Sequence, residues 1–127
     1  MTADEVRSAI DGVNDSKVGW LTTIRPDGSP HTTPVWFVFR DPVFAIVSAA
    51  SNVKVRNIRG DARVSIAIDG SAAAPLVAQG TAELVPMAGV HAREFSEKYD
   101  GWNIADESVD GPRAVIQVRV DRWLLRG

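Results

Sequence analysis

Cysteine is absent from this chain. That excludes disulfides, thiolate nucleophiles and cysteine ligation of zinc or iron–sulfur clusters. Histidine is nearly as scarce, with only His31 and His91, and neither has a spaced carboxylate partner, so no metal centre is expected. Charge of one sign is lacking too. Fourteen Lys and Arg against sixteen Asp and Glu leave a net charge of −2, whereas neutralising nucleic-acid phosphates needs a broad positive surface. No apolar run is long enough to span a bilayer, and no charged start leads into one. The expectation is a cytoplasmic protein with neither nucleic acid nor membrane as partner. No serine sits in a glycine-flanked elbow and no nucleophile–base pair stands out, so no catalytic residue is assigned. A protein without its own acid, base or metal borrows its chemistry from a cofactor, and supplies binding and orientation.

What is present points to one domain over residues 1–127, with 45% hydrophobic residues available for a core. Its organising stretch is residues 48–68, SAASNVKVRNIRGDARVSIAI. Ser51 and Asn52 can cap a helix, Val53, Val55 and Ile58 anchor it, and Gly60 suits a left-handed position just past its end. Lys54, Arg56, Arg59 and Arg63 gather positive charge against the single Asp61. A helix start with free N–H groups, small polar side chains and a lysine is an anion site. The same residues also fit a solvated basic face.

In chain order, Thr2 and Glu5 form a capping box ahead of an amphipathic helix over residues 3–13. Strands are expected at 18–24, 30–39 and 43–48, joined by turns at Arg25-Pro26-Asp27-Gly28 and Arg40-Asp41-Pro42. Pro34 cannot donate to a ladder, so it marks an edge, a bulge or an opening in the sheet. Strands follow at 63–69 and 76–85, on either side of a small-residue loop at 70–75. Gly80 marks a bend or a close backbone approach. A helix is expected from Pro86 to about Tyr99, a loop carrying Trp102 from 100 to 112, and a last strand at 114–125. His31 reads as a half-exposed strand residue and His91 as a surface one. The fold class is mainly β: about six antiparallel strands with three short helices, forming a barrel or strongly curved sheet.

The segments WLTTIRPDGSPHTTPVWFVF, VFAIVS, SNVKVRNIRGDARVSIAI and VAQGTAELVP resemble, in that order, the split β-barrel superfamily of pyridoxamine 5′-phosphate oxidases. KVRNIRGDARVSI is similar to its actinobacterial branch, which uses the deazaflavin coenzyme F-420. The resemblance implies an oxidoreductase passing hydride between F-420 and an unsaturated or conjugated small molecule. It equally admits an FMN-dependent oxidase or reductase, or a non-catalytic binder of flavin or haem. It implies a homodimer with cofactor sites at the interface. Ser48 and Lys54 match positions touching the cofactor phosphate, with Ser51, Asn52 and Arg56 around them, while Val35, Trp36 and Phe37 match the strand beside the ring system. Two positions depart from the pattern. Asn52 stands where the oxidases carry serine and many deazaflavin relatives arginine, and Pro75 falls where the oxidases place a glutamine.

Overall fold

The structure is a computed structural model that describes residues 2–69, 75–108 and 111–125. Thr2 caps α1 (Ala3–Asp11) by accepting the Glu5 N–H at 3.1 Å, as the capping box requires. A 3-10 turn (Val13–Asp15) leads into β1 (Gly19–Ile24). Then come β2 (Pro30–Val35), β3 (Phe37–Arg40), β4 (Val43–Ala49), α2 (Val53–Gly60), β5 (Arg63–Ile68), β6 (Leu76–Val85), α3 (Gly89–Lys98) and β7 (Arg113–Leu125).

Among the described residues there are seven strands, not the expected six, because the 30–39 segment is two. They form one antiparallel sheet in the order β2-β1-β5-β6-β7-β4-β3. β2 and β3 are consecutive in sequence, separated only by Trp36, yet they lie at opposite ends of the sheet. Seven strands laid flat would put the two ends roughly 29 Å apart, at about 4.8 Å per strand step. One intervening residue spans about 7 Å at most. The sheet must therefore curl until its edges meet at Trp36, and the half-barrel is closed there by the chain. Pro34 lies on the edge strand β2, where its missing N–H costs nothing.

Alternation sorts the sheet's two faces. Inward-facing Leu21, Val35, Phe37, Phe44, Ile46, Ile66, Ala78, Ile116 and Val118 build the main core, and α2 adds Val55 and Ile58. A smaller cluster, Val38, Ala45, Phe95, Tyr99 and Ile104, packs α3 and the following loop on the outside of β3 and β4. Asn57 fastens α2 to β1 through a buried Nδ2–H donated to Thr23 Oγ1 at 3.0 Å.

Three local readings are corrected. Gly60 is the last residue of α2, not a left-handed residue beyond it. The chain leaves the helix through extended Asp61, whose carboxylate accepts from the Arg63 N–H at 3.1 Å. α3 begins at Gly89, three residues after Pro86, because the His91 Nδ1 accepts the Ala88 N–H at 3.0 Å and fixes the start there. That turn also buries His91 instead of leaving it on the surface. The loop expected at 70–75 and part of that at 100–112 fall on residues 70–74 and 109–110, which lie outside the described residues. Among the described residues no helix is long and apolar enough to cross a membrane.

Gly80 sits at a register shift where β6 meets β7, and a Cβ there would lie 2.2 Å from the Arg119 carbonyl oxygen. Gly80→Ala should therefore destabilise the protein by about 2 kcal/mol or more. Gly60→Ala, where an added Cβ meets nothing within 4 Å, should be neutral or stabilise by about 0.5 kcal/mol. Urea unfolding of both variants checks the contrast.

Candidate functional site

The turn from β4 into α2 puts four of the expected residues on one short piece of chain. Ser48 faces the core side of β4, buried, with its hydroxyl donated to the Ala49 carbonyl at 3.2 Å. Ser51 is exposed in the turn. Asn52 is the helix cap, accepting the Lys54 N–H at 3.2 Å. Lys54 stands in the first turn and is 8% exposed, and burial lowers its pKa. Among the described residues its ammonium has no acidic partner. Asn52 closes most of the helix start, since its carbonyl also accepts the Val55 and Arg56 N–H groups at 3.1 and 3.3 Å. An anion there would meet the Val53 N–H and a desolvated lysine.

Arg56 points elsewhere. It is exposed and lines a groove between α2 and the β1–β2 turn. Two adjoining clefts of about 510 and 590 Å³ share Arg25, Pro26, Arg56 and Asn57. The first also reaches His31 and Val53 at the helix start, and the second reaches Gly60, Asp61 and Arg63 at its end. Arg25 is anchored by donating to the Pro30 carbonyl at 2.9 Å. Arg63 is held by Asp61 at 2.7 Å, and hydrogen bonds from Arg63 pull the Asp61 carboxyl down to about 2. The groove's uncommitted positive charge is therefore concentrated toward Arg25 and Arg56.

Two polar atoms on the inner face of β2 test whether this place suits a ligand. His31 Nδ1 and Thr33 Oγ1 are enclosed, and neither has a hydrogen-bond partner. Their register neighbours are the buried Thr23 and Leu21. Buried polar atoms are normally satisfied, and His31 lines the cleft that reaches Val53, so a hydrogen-bonding group entering between β2 and the start of α2 fits what His31 lacks. Sequence reasoning overlooked both atoms. Strand alternation alone would have turned His31 and Thr33 inward, but only the fold brings His31 to α2.

Val35 and Phe37 are buried on either side of the strand break, while Trp36 projects outward at 45% exposure. Its ring stacks on Tyr99 with centroids 4.6 Å apart and planes 4° from parallel, and meets Trp102 edge-on at 5.1 Å. The Tyr99 hydroxyl accepts the Phe37 N–H at 2.8 Å and lies 2.8 and 2.9 Å from the carbonyls of Lys17 and Phe37. It thereby satisfies backbone groups that the broken strand leaves open. Sequence reading missed this contact because 62 residues separate its partners. Among the described residues no cluster of three or more His, Asp or Glu could hold a metal ion.

Comparison with known proteins agrees with this architecture. The family model described as pyridoxamine 5′-phosphate oxidase matches residues 3–127. An F420 reductase is 25% identical, with a TM-score of 0.76 over 90% of this chain and 94% of its own. A conserved hypothetical protein from Mycobacterium tuberculosis is 27% identical, with a TM-score of 0.77 over 98% of this chain and 84% of its own. A haem storage protein from Vibrio cholerae shares the fold at 16% identity, with a TM-score of 0.72 over 97% of this chain and 93% of its own.

Asn52→Ala removes the side-chain acceptor for the Lys54 N–H. It should cost about 1 kcal/mol of stability, read as a lower denaturation midpoint with an unchanged slope.

Proposed function

Because the chain belongs to the pyridoxamine 5′-phosphate oxidase family, we propose that it is an oxidoreductase of this flavin-binding fold that uses coenzyme F-420. The observation that carries the reading is the start of α2, where desolvated Lys54 lacks an acidic partner among the described residues and Val53 borders a cleft lined by His31, whose enclosed Nδ1 has no hydrogen-bond partner. A cofactor phosphate there would take a hydrogen bond from the Val53 N–H and charge from Lys54, with Ser48, Ser51 and Asn52 on the same stretch of chain. The groove favours the deazaflavin over FMN. FMN ends at its phosphate, whereas F-420 continues into a carboxylate-bearing tail, and Arg25 and Arg56 line a path that leads away from the helix start. The likeness to an F420 reductase supports the same coenzyme.

When bound, the coenzyme supplies hydride transfer, here to an unsaturated or conjugated small molecule. The chain's own contribution is position and dryness. Val35 and Phe37 form a buried wall at the strand break, and Tyr99 fixes the Phe37 backbone within it.

Titration by fluorescence with F-420 and FMN in parallel, at fixed salt, tests the reading. F-420 should bind more tightly, and equal or tighter FMN binding overturns the coenzyme assignment. Lys54→Ala should weaken binding about ten- to a hundred-fold, since a charge-assisted hydrogen bond is worth roughly 1.5–3 kcal/mol. Arg63→Ala should cost much less, its guanidinium being occupied by Asp61. A larger loss at Arg63 would move the anion away from the helix start.

The proposal includes a homodimer with the cofactor sites at its interface. On the outer sheet face Pro34, Trp20, Ala67, Val77 and Leu124 form one register row across five strands. Trp20 in that row is 48% exposed. Covering such a row in a two-fold interface removes its apolar surface from water. Sedimentation at micromolar concentration should show a dimer, and a clean monomer contradicts this part of the proposal.

A further inference from the structure

Lys98, the last residue of α3, carries its amine into the protein. Its Nζ is enclosed without a hydrogen-bond partner and lies 3.6 Å from the centroid of the Phe37 ring. It is not in contact with the anion position at α2. The groups around it come from four elements. Lys17, ahead of β1, donates its own ammonium to the Lys98 carbonyl at 2.6 Å and is a like charge. Asp15 in the 3-10 turn is an opposite one. Tyr99 follows on α3, with its ring 5.4 Å from the Lys98 Nζ. Glu94 and Glu97, on α3 itself, line with Lys98, Asn14, Val38 and Phe39 a cleft of about 270 Å³. Glu94 also pairs with Arg40 of β3 at 3.2 Å.

An ammonium has three donors to satisfy, and above Phe37 it has no hydrogen-bond acceptor. The ring face and Asp15 favour the charged form, but burial and Lys17 outweigh them and push Lys98 down to about 7. The cleft offers what the buried position lacks, because Glu94 is four residues N-terminal to Lys98, the favourable order for a helical pair.

We propose that Lys98 is a proton-driven positioning residue with two places: neutral over Phe37, and charged in the cleft beside Glu94 and Glu97. Leaving Phe37 uncovers the ring at the strand break and moves the turn that carries Tyr99, whose hydroxyl holds the Phe37 backbone. Proton uptake thus loosens the β2–β3 junction, and proton loss sets it. The consequence for cofactor binding rests on the function proposed above, whereas the switch itself does not.

The experiment follows the Phe37 backbone amide of the cofactor-free protein by NMR from pH 6 to 9, together with the Lys98 ¹³Cε resonance. Both should titrate with a shared midpoint near 7. Lys98→Met should hold the Phe37 amide flat at its high-pH position, and Lys98→Arg should fix it at the low-pH position. Glu94→Gln with Glu97→Gln should lower the midpoint by removing the acceptors of the charged form. A Phe37 amide that does not move, or that titrates alike in Lys98→Met, overturns the proposal.

Stability gives a second readout. Between about pH 7 and the ordinary lysine value near 10.4 the unfolded chain holds a proton that the folded one has lost. Wild-type stability relative to Lys98→Met should therefore rise across that window and be level below it. A flat difference also contradicts the switch. F-420 and FMN titrations at pH 6 and 8.5 separate the two readings: if neither binds at either pH, the cofactor assignment falls while the Phe37 titration stands.

Discussion

One residue, Trp36, joins the two ends of a seven-stranded sheet. That connection fixes the curl of the whole sheet, since no flat arrangement lets one residue cross its width. It also creates a problem, because the junction breaks a strand and leaves backbone groups of Phe37 without a ladder. The Tyr99 hydroxyl answers it, accepting from the Phe37 N–H and reaching both the Phe37 and Lys17 carbonyls. Loss of that hydroxyl would leave a buried donor unsatisfied, at a cost of roughly 1–3 kcal/mol. The aromatic group of Trp36, Tyr99, Trp102 and Phe95 then holds α3 and the following loop over the junction.

The candidate site follows from the same closure. Curling the sheet brings the inner face of edge strand β2 toward α2, where His31 meets Val53, Arg56 and Asn57 around one cleft. Asn57 and Thr23 pin the helix in place from within the core. The start of α2 is thus held at a fixed position, with Val53 at the rim of the cleft that His31 lines. For the proposed cofactor, preorganised charge would set binding strength, and the reach of the basic groove would set ligand choice.

Much of the fold was legible in residue order. Alternation gave β5 to within a residue, and β6 was read at its observed ends; Gly80 was marked for a bend or close approach, Thr2 for its cap, and Ser51 or Asn52 for the cap that Asn52 makes. These signals are local, carried by neighbours a few residues apart. Pro34 was read as marking an edge, a bulge or an opening in the sheet and does stand on an edge strand, yet composition alone could not separate a kinked strand from two strands at opposite edges. That distinction depends on the global strand order. The placement of His91 was missed because its imidazole folds back onto Ala88, an arrangement without a sequence signature. Within the site, Ser48, Ser51, Asn52 and Lys54 come together by chain continuity and were readable. Arg25, His31 and Thr33 join the site's surroundings, and Tyr99 its strand break, only through tertiary contacts.

The most direct measurement is amide chemical-shift mapping of the labelled protein on addition of F-420. The account predicts the largest perturbations at residues 52–55 and at His31 and Thr33, with smaller ones along the groove at Arg25 and Arg56. Shifts centred instead on the outer-face cleft lined by Thr22, Ser65, Gln79 and Arg122, with the α2 start unmoved, would contradict it.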